Sequence, residues 1–319
     1  MSNPTIDQRS RAARDDHLDF RTLFSEANAH FVRSADLRDS KTSFSEVLVT
    51  SAIAKCLDFN NQANEGDSAE AQSSFFLIAN ARAICEEFIY CSLFRSIGQP
   101  ISDDLAMRLN DLATKKNVLA QTRFFAHNNP AQPTFGGFAD SAKLNEAIRQ
   151  ASRELNSHWK SCGFTQVPPS VQEVSNKVGL TTTYGYTYHL TSNFVHFNPG
   201  QLLQTGWGAG LEGPFTFSTK NFEGYYINLA RFLGAIFFLG YCYIAPDKFQ
   251  GDLASEYARL IQSRLQSNFR WPEITTYEEM NQTWPDNILE RAMMTVMRKE
   301  DPTAMPDVLS ELQGLAGNT

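Results

Sequence analysis

The chain has 319 residues, of which 42% are hydrophobic and 12% aromatic, enough to bury a substantial core. Its formal net charge of −7 argues against a protein held on nucleic acid mainly by bulk charge, although it allows a small basic pocket. The five cysteines form no CxxC pair, which indicates reduced thiols and a cytoplasmic location.

The first elements follow from polarity and apolar spacing. Residues 1–16 are polar and are expected to form a disordered arm. They lack the apolar segment of a signal peptide, so we do not expect secretion. Helical spacing predicts a helix over 17–38, and Ser43 with Glu46 matches a capping box that opens a second helix. The composition of residues 60–68 predicts a loop.

The strongest helical pattern covers residues 69–97, where apolar side chains recur every three or four positions. Arg82 and Glu86 lie four residues apart within it and can pair. They form either a surface stripe or a partly buried polar cluster, and buried charges need partners.

Helix-start and helix-stop residues then predict three helices, over residues 102–127, 141–161 and 170–179. Ser170 and Glu173 fit a capping box at the start of the third. Residues 128–140, with two prolines and paired glycines, are expected to form a loop.

The C-terminal third begins with a glycine-rich loop predicted at 200–213 and a short extended segment at 214–218. Helices are predicted over 222–245, 252–269 and 286–298, followed by a loosely attached tail from Asp301. The segment Tyr225–Ala245 is the most apolar, but its uncharged run is short for a membrane span and Arg231 interrupts it. We expect a buried helix there.

These elements predict an all-α protein, a multi-helix bundle with additional C-terminal helices. No linker is long enough to force a division into two domains. We therefore expect an arm at 1–16, a helical domain at 17–250 and a C-terminal extension at 251–319.

The stretch Thr182–Gly200 concentrates tyrosines, histidines and hydroxyls with almost no formal charge. Its alternating tyrosines match a strand, but its helical surroundings favour a helix that ends at Asn198-Pro199-Gly200. In a helix, Tyr188, Ser192 and His196 are stacked on one face, with His189 close to that face.

A metal site at these histidines is not expected. Seven helical residues separate His189 from His196 by about 10 Å, too far to share one ion. No acidic residue lies between Thr181 and Gly210 to complete a ligand set. We expect neither a metal nor a cofactor.

Two polar groups two turns apart can instead flank a phosphodiester. His196 would then be the general acid or base, with His189 or an arginine stabilising the developing charge. Tyr188 and Ser192 would hold the geometry. The alternative is that His196 and Tyr188 belong to a structural hydrogen-bond network inside a packed helix pair.

The run from Tyr188 to His196, followed by Asn198-Pro199, resembles the Y-x-L-S-x-x-V-H signature of a bacterial helical family of unknown function. The helix with Arg82 and Glu86 and the segment Trp159–Gly179 are similar too, so the resemblance covers about residues 45–245. That family is similar in layout to HEPN domains, many of which are ribonucleases of toxin–antitoxin and phage-defence systems.

The resemblance implies a metal-independent ribonuclease whose arginine and histidine meet at a homodimer interface. It carries over His196 as the histidine and Glu86 as the polar residue of the preceding helix. No arginine lies between Thr181 and His196, and His189 occupies its approximate place.

The expected catalytic residues are therefore His196, His189, Glu86 and Arg82, and the expected substrate-binding residues are Tyr188, Ser192 and Asn198. The expected partners are RNA, a second copy of the chain and a protein of the same system, with no membrane. The alternative is a non-catalytic helical module that binds a partner protein or a nucleotide.

Overall fold

The computed structural model describes residues 20–31, 43–65, 74–128, 140–196, 198–207, 216–267 and 307–317. These residues are almost entirely helical, which confirms the predicted all-α class. The helices are α1 (Phe20–His30), α2 (Phe44–Asn64), α3 (Ser74–Ile97), α4 (Ile101–Asn128), α5 (Ser141–Ser161), α6 (Val171–Lys177), α7 (Thr181–Val195), α8 (Pro199–Gln204), α9 (Glu223–Ile244), α10 (Leu253–Ser267) and α11 (Asp307–Ala316). Strands β1 (Gly206–Trp207) and β2 (Thr216–Phe217) pair antiparallel, and Pro246–Lys248 forms a 3₁₀ turn.

The chain divides into two compact units. Unit 1 comprises residues 1–34, 50–89 and 179–319, and unit 2 comprises residues 35–49 and 90–178. The division into domains at residue 250 stays a prediction, and the predicted arm at 1–16 lies outside the described residues.

Helix α9 forms the centre of unit 1. Most of its length is buried, and Phe237 and Phe238 are completely enclosed. Phe88 of α3 meets Phe237 and Tyr241, with ring centroids 6.2 and 5.1 Å apart, and Phe24 of α1 meets Phe238 edge-on at 5.3 Å. Burying each such ring contributes about 1.5–3 kcal/mol, so α9 and its neighbours dominate the stability of this unit.

The apolar character of α9 was predicted to reflect burial. α9 is the one described helix that is long and apolar enough to cross a membrane, and 78% of its most apolar window is buried inside the protein. The buried helices of soluble proteins have the same composition.

Two glycines allow close packing around α9. A Cβ at Gly240 would collide with the ring of Phe88, and a Cβ at Gly234 would lie within 2.9 Å of the Phe59 ring. The absence of a side chain at both positions therefore lets α2 and α3 approach α9 closely.

Unit 2 is built on the packing of α4 against α5. Asp104 of α4 accepts from Arg108 at 2.8 Å and pairs with His158 of α5 at 2.9 Å. Trp159, on the buried face of α5, meets the ring of Phe164 edge-on at 5.2 Å. Apolar burial and a polar cluster thus both fix these two helices.

Asp103 caps the start of α2 from the first turn of α4. Its Oδ1 accepts from the Ser43 hydroxyl at 2.6 Å, from the Ser45 hydroxyl at 2.7 Å and from the Ser45 amide at 2.8 Å. Burial alone would raise the pKa of the Asp103 carboxyl, but these hydrogen bonds hold it below its ordinary value of 3.8. As predicted, the Ser43 hydroxyl also accepts from the Glu46 amide, while the Glu46 carboxylate pairs with Arg95.

Several other boundaries match the prediction. The capping box of Ser170 and Glu173 is complete, and Gly163 and Gly179 adopt the positive φ that ends a helix. The five cysteines carry free thiols. The ambiguous stretch after Thr181 is helical up to Val195.

The predicted loop at 60–68 is wrong over its first five residues, because α2 continues to Asn64. Asn60 is fully buried and donates to the carbonyls of Cys56 and Gly234, at 2.9 and 3.0 Å. Asn64 donates to the Asn60 carbonyl at 2.7 Å. The amide nitrogens of these two side chains, which usually favour turns, here donate to backbone carbonyls and allow the helix to continue. Residues 66–68 lie outside the described residues.

Two C-terminal predictions also need correction. Residues 200–204 are helical rather than loop, because Asn198 accepts from the Gln201 amide at 3.2 Å and Pro199 opens α8. The tail from Asp301 contains α11, which buries Val308, Leu309, Leu312 and Leu315. These apolar residues recur at helical spacing, so the segment is anchored. The predicted helix at 286–298 lies outside the described residues.

Gly240 and Gly224, near opposite ends of α9, provide a matched test of the packing of this helix. We expect Gly240→Ala to destabilise the protein by about 1–3 kcal/mol, because the new methyl group must displace Phe88. Gly224→Ala is the control, since nothing lies within 4 Å of its added Cβ. It should be neutral or stabilising by up to about 1 kcal/mol. Urea denaturation measures both, and equal shifts would contradict the packing of α9.

The cap at Asp103 predicts a pH-dependent contribution to stability. Because the folded pKa is lowered, the contribution is present above the ordinary pKa and is lost as the pH falls through the folded value. Asp103→Asn should cost about 1 kcal/mol at neutral pH, allowing for solvent screening, and less in acid. Urea denaturation at neutral and at acid pH measures this loss of stability. Asp111→Asn, which removes a surface pair with Lys115, is the control. If Asp103→Asn lowers the free energy of unfolding by the same amount at neutral and at acid pH, the role of the carboxylate is contradicted.

Candidate functional site

Helix α3 places two charged side chains beside a buried apolar face. Ala81, Ile84 and Cys85 are buried and fix the helix within unit 1. Arg82 and Glu86, one turn apart, are only partly covered, with 19% and 34% of their side chains exposed. The Arg82 Nε donates to Glu86 Oε1 at 3.1 Å, which confirms the predicted pair.

Helix α7 carries a stripe of side chains spaced four residues apart, Tyr184, Tyr188 and Ser192, and His196 continues this spacing just beyond the end of the helix. The rings of Tyr184 and Tyr188 are 5.6 Å apart, so these two residues share one face of the helix. His196 follows the last helical residue and has an extended backbone, with its amide donating to the Ser192 carbonyl at 3.1 Å. The helix end thus presents the imidazole to solvent.

The side chain of Arg82 joins the two helices. Its Nη1 lies 3.1 Å from His196 Nε2, and its Cζ lies 4.7 Å above the centre of the Tyr188 ring. With the bond to Glu86, the guanidinium therefore has three partners. We name Arg82, Glu86, Tyr188 and His196 the arginine cluster.

A hydrogen bond between Arg82 and His196 requires one particular tautomer of the imidazole. A guanidinium has only donors, so Nε2 of His196 must accept the hydrogen bond. An accepting Nε2 requires a neutral ring with its proton on Nδ1. This is the form of the imidazole in which Nε2 can act as a general base.

The arginine cluster contributes little to folding. An exposed pair at i, i+4 is worth about 0.3–0.5 kcal/mol, and a cation–π contact about 0.5–1 kcal/mol at an exposed site. Burial of the aromatic core of unit 1 is worth far more. Substitutions in the cluster should therefore alter its chemistry without unfolding the protein.

Burial suppresses ionisation of the neighbouring Cys85 thiol and Tyr184 hydroxyl. Burial raises the pKa of the Cys85 thiol to about 12, so this neighbour of Arg82 stays protonated and is a poor nucleophile. Burial likewise raises the pKa of the Tyr184 hydroxyl. Glu87 pairs with Lys55 at 2.5 Å and belongs to a different polar contact.

The other predicted site residues have different surroundings. His189 is exposed and meets the Tyr188 ring edge-on, with centroids 6.0 Å apart. Arg82 is therefore the cation in direct contact with His196, and a catalytic role for His189 stays a prediction. Ser192 is half-buried, one turn from both Tyr188 and His196.

Asn198 has a structural role in the turn after His196. Its Nδ2 donates to Asn193 Oδ1 at 2.6 Å, and its Oδ1 accepts from the Gln201 amide. The side chain therefore links the end of α7 to the start of α8. It fixes the backbone on which His196 is presented, and both of its polar atoms are already engaged.

Sequence reasoning left two features unspecified. It placed Arg82 and His196 in one site, but it could not show their direct contact, because the two positions are 114 residues apart. Tyr184 belongs to the same stripe, and its four-residue spacing from Tyr188 was visible in the sequence.

No group of three His, Cys, Asp or Glu side chains is placed to hold a metal ion within the described ranges. Comparison with protein-family models, with curated proteins and with solved structures found no match to the chain. The geometry of the site is thus the basis for a functional proposal.

The protonation state of His196 is directly measurable. In ¹⁵N-labelled protein at alkaline pH, we expect the Nε2 resonance of an unprotonated, hydrogen-bonded nitrogen and a proton on Nδ1, because Arg82 donates to Nε2. Arg82→Ala should remove this tautomer preference, whereas Arg149→Ala, an exposed arginine of α5, should preserve it. A protonated Nε2 in the unsubstituted protein would refute the contact.

Proposed function

We propose that this chain is a HEPN-like helical protein that cleaves RNA without a metal ion, using His196 for proton transfer and Arg82 for charge stabilisation. The observation that carries the proposal is the 3.1 Å contact between the Arg82 guanidinium and His196 Nε2 at an exposed helix end. A cation beside a neutral imidazole is the combination that phosphodiester cleavage through the ribose 2′-hydroxyl needs.

The reaction can be written with these two groups. When the phosphate takes the Arg82 donor from His196, Nε2 becomes free to remove the proton from the 2′-hydroxyl, and the 2′-oxygen attacks the adjacent phosphorus. The bond to the 5′-oxygen breaks, and that oxygen takes a proton from a general acid, which is water or a group of a second copy. Arg82 stabilises the negative charge that develops on the phosphoryl oxygens. The products are a 2′,3′-cyclic phosphate and a 5′-hydroxyl.

Glu86 and Tyr188 support this role of Arg82. Glu86 binds the Nε side of the guanidinium, and the Tyr188 ring covers its face, which leaves the edge with Nη1 toward His196. A phosphate that inserts beside His196 would meet a guanidinium that is already oriented. Pre-orientation of the charge lowers the reorganisation needed in the transition state.

The acidic character of the chain limits how RNA would be held. With a net charge of −7, binding cannot rest on a broad basic surface, so recognition would be local to Arg82 and the aromatic stripe of α7. The exposed His189 lies beside that stripe and is available to contact a second nucleotide. The resemblance to HEPN proteins further leads us to propose a homodimer that acts in phage defence or in a toxin system.

Cleavage assays on single-stranded RNA in EDTA test the proposal. We expect His196→Ala to reduce the rate by about 10²–10⁴-fold and Arg82→Ala by about 10²–10³-fold, with 2′,3′-cyclic phosphate ends in the products. His30→Ala and Arg149→Ala, which lie outside the cluster, are the matched controls.

Loss of cleavage in EDTA, or equal activity in His196→Ala and the unsubstituted protein, would contradict the ribonuclease proposal. An inactive protein in which His196→Ala instead changes the association of the chain with a protein or a nucleotide would support the alternative of a non-catalytic binding module.

A further inference from the structure

Helix α7 carries Tyr188 and leads directly into His196, yet its composition favours a helix poorly. Its 15 residues include five threonines, three tyrosines and a glycine. Threonine and tyrosine each cost up to about 0.7 kcal/mol relative to alanine in a helix, and glycine about 1 kcal/mol. Leu180, at the N-cap position, provides no side-chain hydrogen bond to the first turn. Contacts from elsewhere must therefore stabilise this helix.

Glu311 of α11 makes such a contact. Its Oε1 accepts from the Thr182 amide at 2.7 Å, and its Oε2 accepts from the Thr183 amide at 2.8 Å and the Thr183 hydroxyl at 2.9 Å. The carboxylate satisfies two amides that α7 cannot satisfy itself and places a negative charge at the positive end of the helix dipole.

The position of Glu311 is fixed by the packing of α11. Val308, Leu309, Leu312 and Leu315 are buried, and α11 packs against α9 and α7. The cap is thus available only while α11 is docked. This docking connects the C-terminal end of the chain to the first turn of α7.

We propose that Glu311 is a positioning residue: by capping α7 it maintains the helix that sets Tyr188 and His196 against Arg82. For the chemistry, this inference rests on the proposed ribonuclease function. Thr182 and His196 are 14 residues apart, about 21 Å along a helix, so the effect is transmitted through the helical state of α7. Fraying of the first turn loosens a helix that has little propensity of its own.

Amide hydrogen exchange on full-length variants tests the cap. Glu311→Ala should accelerate exchange across α7 by about tenfold, whereas the buried amides of α9 should change much less. Glu311→Gln retains one acceptor oxygen, so exchange across α7 should accelerate less, by about threefold. This variant keeps the test valid if the alanine variant folds poorly. Gln313→Ala, at an exposed position of α11, is the matched control.

RNA cleavage provides the second readout. We expect Glu311→Ala to lower kcat by about tenfold with KM nearly unchanged, because the phosphate still meets Arg82 while His196 is less often in place. Glu311→Gln should restore part of kcat.

Exchange across α7 that is equal in Glu311→Ala and Gln313→Ala would overturn the positioning role, whatever the activity. If the unsubstituted protein does not cleave RNA, only the proposed ribonuclease function is refuted. The exchange result still decides whether Glu311 maintains α7. Uniform acceleration in α7 and α9 in both Glu311 variants would also overturn the role, because it would show a general loss of stability.

Discussion

The hydrogen bond between Arg82 and His196 is the interaction on which the candidate site depends. It connects a helix that is fixed by apolar burial, α3, with a helix end that is open to solvent, the end of α7. A guanidinium can make this connection because its donors point in several fixed directions, so one side chain binds Glu86 and His196 while its face lies on Tyr188. A lysine would offer a flexible point charge without this fork.

The residues that stabilise unit 1 and the residues of the proposed site lie in different parts of the unit. The aromatic packing of α9 with α1, α3 and α10 provides the stability, and its close contacts leave little room for movement. The arginine cluster lies at the partly exposed edge of this packing, where each contact is individually weak. A ligand phosphate can therefore replace a contact of Arg82 at small cost in folding free energy. The stability of helix α7 depends in addition on the cap from Glu311.

Much of the fold was predictable from sequence, because apolar spacing and capping residues are local signals. The capping box at Ser170 and the apolar helix α9 are examples. The continuation of α2 past Asn60 was not predictable, since it depends on a hydrogen bond to the Gly234 carbonyl, 174 positions away. The segment of α11 was predicted to be loosely attached because most of the tail is polar, although four apolar residues recur there at helical spacing.

The sequence could predict which residues belong to the candidate site but not how they contact one another. Arg82, Glu86, Tyr188 and His196 could be chosen from helical spacing and from the resemblance of their motifs to a helical family. The sequence could not show which side chain contacts His196, because His189 is close in sequence whereas Arg82 is close in space. The roles of Asn198 and Glu311 likewise depend on which backbone amides they face.

A double-mutant cycle on RNA cleavage tests most directly whether Arg82 and His196 act as one unit. It compares the unsubstituted protein, Arg82→Ala, His196→Ala and the double variant under single-turnover conditions. If the two groups act on the same phosphodiester, the double variant should cleave about as slowly as His196→Ala alone. Rate losses that multiply across the cycle would show that the two residues act independently and would contradict the account.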